Sequence, residues 1–120
     1  MGGLPGRIVN LSSTSIVTNA IGVSHYMALK MGIIGFTRGL ANDVGKDLIT
    51  VNAVAPALTE TPGTSHLSPE VRECIVNQQS FKRMAIPKDI VGPILFLTGE
   101  DAQFITGQVL AVDGGMMKVS

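Results

Sequence analysis

Three short runs of branched apolar residues, Arg7 to Leu11, Ile49 to Ala55 and Gln108 to Val112, constrain the fold of this chain more than any other feature. Each has the length and composition of a strand, and each is closed by turn-forming residues: Ser12 to Ser15, Pro56, and Asp113-Gly114-Gly115. Between the first two runs, Leu29, Ile33, Phe36, Leu40 and Val44 recur at steps of three and four. That spacing predicts an amphipathic helix from about Tyr26 to Val44, with Gly45 placed to end it. Gly32, Gly35 and Gly39 weaken such a helix by up to ~1 kcal/mol each relative to alanine, so close packing is expected on their side. A second helix should begin at Ser68, a good N-cap followed by Pro69, Glu70 and Glu73, and a third at Pro87 with Asp89. Pro93 lies inside the third and predicts a kink or local fault. Strands separated by helical crossovers pair in parallel and carry helices on both faces, which makes the fold class α/β.

In sheets of this kind ligands bind beyond the carboxyl ends of the strands, which singles out Ser12 to Ser15, Pro56 to Thr61 and Asp113 to Gly115. The bulk numbers exclude other classes. A chain of 120 residues suits one domain, and 45% hydrophobic against 15% charged residues argues against disorder. Nine basic and nine acidic residues give zero formal charge with no basic cluster, so neither a nucleic acid nor an anionic membrane is an expected partner. The apolar stretch around Ile90 to Leu97 is far short of the ~20 residues a membrane helix needs. Met1 to Arg7 carries no secretory pattern, and Cys74 alone can form no internal disulfide, so a reducing cytoplasmic setting is expected. Cys74 itself reads as a small buried hydrophobe.

Tyr26 and Lys30, four apart at the start of the long helix, stack one turn from each other on one face. An ammonium beside a phenol favours the phenolate, so Tyr26 could act as general acid when a ketone is reduced and as general base when an alcohol is oxidised. Ser13, at the end of the preceding strand, could hydrogen-bond the substrate oxygen on which charge develops. The Tyr and Lys pair alone is weak, since neighbouring surface residues show the same spacing; its position beside a strand-end serine is what gives it weight. His25 and His66 lack the ligand spacing of a metal centre, and surface or packing roles are expected for both.

With these motifs in place, the chain resembles the C-terminal half of the short-chain dehydrogenase/reductase family, of the type that includes 3-oxoacyl-carrier-protein reductases and secondary-alcohol dehydrogenases. Gly6 to Ser13 resembles the family's fifth strand and catalytic serine, Tyr26 to Lys30 its Tyr-x-x-x-Lys pair, and Val51 to Pro56 its sixth strand. Thr106-Gly107-Gln108 and Val112 to Gly115 resemble its closing strand. The resemblance implies the C-terminal half of a Rossmann-like doubly wound parallel sheet, with residues 1–120 forming one partial domain. It implies hydride transfer between NAD or NADP and a ketone or secondary alcohol, with Ser13, Tyr26 and Lys30 catalytic. Tyr26, Lys30, Pro56, Ala57, Thr59 and Thr61 would meet the nicotinamide end of the cofactor. Pro62 to Phe81 would form a substrate lid whose Leu67, Val71 and Ile75, together with Met84, favour an apolar substrate. A homo-oligomer, dimer or tetramer, is implied for a full-length member.

Two positions depart from the pattern: Leu29 stands where the family usually has serine, and Ala57 where it usually has glycine. No glycine-rich strand-to-helix phosphate loop occurs in the chain, since Gly2, Gly3 and Gly6 precede a strand rather than follow one. The half that grips the cofactor's phosphates is therefore expected to lie outside these residues, leaving the first strand an apolar edge. A truncated, inactive fragment serving as an oligomerisation or interaction module is the alternative reading.

Overall fold

The structure is a computed structural model that describes residues 5–14 and 21–118, so Gly2, Gly3 and Ser15 lie outside the described residues. Strand β1 (Arg7–Leu11) leads to helix α1 (Ser24–Val44), strand β2 (Thr50–Pro56), helix α2 (Pro69–Asn77), helix α3 (Pro87–Thr98) and strand β3 (Val109–Val112). The strands form one parallel sheet in the order β1-β2-β3, as the crossover lengths require. The register pairs Val9 with Asn52 and Leu11 with Val54 on one side, and Ala53 with Val109 and Pro56 with Val112 on the other. Central β2 is buried at every residue from Thr50 to Ala55, the pattern of a parallel strand covered on both faces.

Successive side chains of a strand point to opposite faces, and β1 shows the two layers directly. The Asn10 amide donates to Thr37 Oγ1 of α1 at 3.0 Å. Its neighbour Val9 packs with Val54 against Ile90, Ile94 and Leu97 of α3. Helices α1 and α3 therefore cover opposite sheet faces. The loop into β3 is fastened to β2 by polar groups: buried Asn52 donates to Ile105 O at 2.9 Å and accepts from Gln108 N at 3.1 Å. Thr106 Oγ1 accepts from Val51 N at 2.9 Å. Gly107 closes this loop with φ +72°, a conformation glycine takes without steric cost.

The helix starts follow the sequence. Ser68 Oγ accepts from Val71 N at the head of α2, and Asp89 Oδ2 accepts from Ile86 N at the head of α3. Asp89 also takes a two-pronged ion pair from Arg83 at 2.7 and 3.1 Å; that guanidinium, then the Ile86 amide, holds the carboxyl down at about 2. Helix α3 runs on through Pro93.

Three expectations need correction. The buried stripe of α1 is Ile34, Thr37 and Ala41, while Leu29 and Phe36 are 62% and 60% exposed. Both sets have helical spacing, so periodicity alone could not choose between them; the Asn10 to Thr37 hydrogen bond marks the inner one. No atom of the described residues stands within contact of a Cβ placed at Gly32, Gly35 or Gly39, so the close packing expected there does not occur within the chain. Gly45 does cap the end of α1 as expected, with φ −61°; the left-handed reversal falls at Leu48 with φ 58°, after a 3₁₀ turn over Gly45–Asp47. Pro56 belongs to β2: a strand's last residue can lack a donor, and the pairing continues as Ala57 N donates to Val112 O at 3.0 Å.

Candidate active site

Beyond the carboxyl ends of β1, β2 and β3 lies a cavity of about 780 Å³, within the range of small-molecule sites. Its polar end is built by the residues after β1. Ser12 Oγ donates to Lys30 O at 2.8 Å, and Lys30 Nζ donates back to Leu11 O at 3.4 Å, so the strand end and the second turn of α1 are cross-tied. Thr14 Oγ1 donates to Pro56 O at 3.3 Å, which ties the same loop to the end of β2. These bonds place Ser13 and Tyr26 on the lining of one cavity.

Tyr26 is 40% exposed, open to a ligand. Lys30 does not line the cavity; its ammonium stands 5.5 Å from the centre of the Tyr26 ring, a cation–π distance. The one-turn spacing thus brings this amine to that phenol, with Lys30 behind the cavity wall.

A second wall comes from the segment after β2. Pro56, Ala57, Thr59 and Thr61 all line the cavity. Thr59 pairs with Ala85 in a parallel bridge, and Glu60 N donates to Ala85 O at 2.7 Å. Thr64 Oγ1 accepts from Thr61 N at 3.0 Å and lies 2.8 Å from Thr59 O, knotting the turn. Ser13, Tyr26, Pro56, Ala57, Thr59 and Thr61 therefore line one space, and Lys30 stands apart from it.

The third wall is α2. Val71, Cys74, Ile75 and Gln78, spaced at three, four and seven residues, present one helix face to the cavity. Of the residues expected to meet an apolar substrate, Val71 and Ile75 line the cavity, and Leu67 and Met84 do not. Cys74 corrects its expectation: it is exposed and lines the cavity instead of filling a core. The sequence reading named the stretches that hold Thr14, Leu58, Thr64 and Gln78 without singling out these residues, and it missed Met116. Helical spacing from Val71 was enough to find Cys74 and Gln78, whereas Met116 enters only through the turn after β3, where Gly114 and Gly115 take φ +61° and +89°.

His25 and His66 are exposed, and among the described residues no three His, Cys, Asp or Glu side chains form a group able to hold a metal ion. No helix among the described residues is long and apolar enough to cross a membrane.

A parallel α/β sheet with a cavity at its carboxyl edge, lined by a serine, a tyrosine and a cluster of threonines, defines a class of small-molecule enzyme folds. The family described as Enoyl-(Acyl carrier protein) reductase matches residues 1–117, and the chain belongs to it, within the short-chain dehydrogenases/reductases. A 3-oxoacyl-[acyl-carrier-protein] reductase of Aquifex aeolicus is 41% identical over 111 residues, which are 92% of this chain and 45% of that protein. An acetoacetyl-CoA reductase of Acinetobacter is 38% identical over the same shares of the two chains. A crystal structure of a 3-oxoacyl-[acyl-carrier protein] reductase with bound NAD from Brucella melitensis superposes with a TM-score of 0.83 at 38% identity, covering 94% of this chain and 42% of that one. The chain thus spans under half the length of the relatives it matches.

Proposed function

We propose that residues 1–120 are the catalytic and substrate-facing half of an NAD(P)-dependent oxidoreductase that interconverts a ketone and a secondary alcohol. The observation that carries this reading is that Ser13 and Tyr26 line one cavity while the Lys30 ammonium stands against the Tyr26 ring. Two relatives named as reductases of oxoacyl and acetoacetyl thioesters support the carbonyl as the reacting group.

The residues present fit one end of a nicotinamide dinucleotide. Thr59 and Thr61 line the cavity beside the end of β2 together with Pro56 and Ala57, and the volume suffices for a ring and a small substrate together. No glycine-rich strand-to-helix turn occurs among the described residues, so the phosphates would be held by sequence other than this. Bound, the nicotinamide supplies or accepts the hydride. The Ser13 hydroxyl donates to the substrate oxygen and holds it toward Tyr26. The Tyr26 hydroxyl gives its proton to that oxygen in reduction and takes it back in oxidation. Lys30 holds its ammonium against the Tyr26 ring and so helps to orient the phenol, and it would offer a donor to the ribose of the bound cofactor. Val71, Cys74 and Ile75 offer the substrate an apolar wall on the far side.

The test is titration of the 120-residue chain with reduced nicotinamide mononucleotide, followed by NMR. Saturable shifts at Thr59, Thr61 and Tyr26, reduced in Lys30→Met, are expected; no shift at these residues would overturn the assignment. A second reading, an oligomerisation module, is favoured by the exposed Leu29, Met31 and Phe36 of α1 beside the open Gly32, Gly35 and Gly39. Sedimentation of the same sample distinguishes the two: stable oligomers with no nucleotide binding would favour the module.

A further inference from the structure

One side chain outside the cavity lining reaches two of its walls. Arg72 lies on α2 between the lining residues Val71 and Cys74, and its guanidinium points to the segment after β2. Nη1 donates to both carboxylate oxygens of Glu60 at 2.6 and 2.5 Å, Nη2 to Thr64 O at 2.8 Å, and Nε to Leu67 O at 3.2 Å. Glu60 sits between the lining residues Thr59 and Thr61, and Thr64 lines the cavity as well. Glu60 and its neighbour Thr59 are in turn anchored to Ala85 through the backbone.

We infer that Arg72 is the positioning residue that fixes the width of the substrate cavity, by tying the α2 wall to the threonine wall through Glu60 and Thr64. The inference rests on the reading of this cavity as the substrate site. A planar guanidinium meets three acceptor groups in set directions, whereas an ammonium or an aliphatic chain cannot satisfy all of them from one position. The Arg72 side chain is only 22% exposed, so its directional bonds are partly sheltered from water. Arg72 holds the Glu60 carboxyl below the usual carboxylate range by its side-chain hydrogen bond, so the tie persists through neutral and mildly acidic pH. Without it, α2 keeps its N-cap at Ser68 but loses its link to the threonine wall, and the cavity spends only part of its time at the width a ligand needs.

Cys74 provides the readout, because it is the sole cysteine, is exposed and lines the same cavity. The full chain is alkylated with N-ethylmaleimide in increasing 2-decanone, and the ketone concentration that halves the rate is recorded. For Arg72→Met this concentration should rise about tenfold, as when the competent arrangement falls to a tenth of the population, and for Glu60→Gln about threefold. Arg72→Lys should follow Arg72→Met, because a point charge does not replace the fork. A purely structural role would lower the urea midpoint and leave the half-protecting concentration of the folded variants unchanged. Unchanged protection in both Arg72→Lys and Glu60→Gln therefore overturns the inference while the cavity reading stands. Absence of protection in the unsubstituted chain removes the cavity reading, and this inference with it.

Discussion

The turn after β3 offers a quantitative test of how closely it packs against the loop that follows α2. Gly115 has φ +89°, and a Cβ built on it would lie 2.8 Å from Ser80 Oγ and 2.9 Å from Ser80 Cβ. Gly115→Ala therefore meets two separate penalties. The left-handed backbone costs ~1–2 kcal/mol for a residue with a Cβ. The clash adds ~1–3 kcal/mol, because rotating the Ser80 hydroxyl leaves its Cβ in place and the whole 79–83 loop must shift. That loop is held to the turn by Phe81 N donating to Gly114 O at 2.9 Å, so it cannot move freely. The sum is a loss of ~2–5 kcal/mol, read as a lower urea midpoint in far-ultraviolet circular dichroism. Ser80→Gly removes both clashing atoms, so the double-mutant cycle should return a coupling of ~1–3 kcal/mol, the steric part alone, with the backbone part remaining. A single-mutant loss under ~0.5 kcal/mol, or a coupling near zero, would refute the reasoning, since either result means that Ser80 does not crowd the added methyl.

Asn52→Ala deprives Ile105 O and Gln108 N of their part-buried hydrogen bonds and should cost ~1–3 kcal/mol in the same urea assay. Asp89 has its folded value lowered from 3.8 to about 2, so the stability it contributes is present above about pH 3.8 and is lost as the pH falls toward 2. Acid titration of Asp89→Asn should show a flatter slope in that window than the parent chain. Phe36→Glu places a charge on the exposed face of α1 and should reduce self-association in sedimentation, with little effect on the far-ultraviolet spectrum. Ketone reduction by the isolated 120-residue chain should be little or none, and robust turnover of NADPH by verified chain would contradict the assignment of phosphate binding to other sequence.

Much of the architecture was legible because its determinants are local. Branched runs such as Val51 to Ala55 read as a strand from composition, and Ser68-Pro69 marks the start of α2 by the chemistry of one hydroxyl and one missing donor. The convergence of Ser13, Pro56, Ala57, Thr59 and Thr61 on one cavity followed from a topological rule about strand ends. What stayed hidden was decided by tertiary contact. The inward stripe of α1 was misread because Thr37, a polar residue, outcompetes Leu29 and Phe36 once Asn10 is there to meet it. Cys74 was misplaced because its neighbours in the fold, not in the sequence, determine whether a thiol sees solvent. The reach of Arg72 to Glu60, twelve residues back, spans a turn whose path no periodicity reveals.

The contrast between β2 and α2 has a consequence for how a chain of this kind can diversify. Every position from Thr50 to Ala55 is shut away from water, so substitutions there disturb folding before they reach chemistry. No residue of α2 is buried, yet four side chains on and just after it look onto the ligand space. Heritable change can therefore rewrite molecular preference along one short helix while the scaffold beneath stays constant.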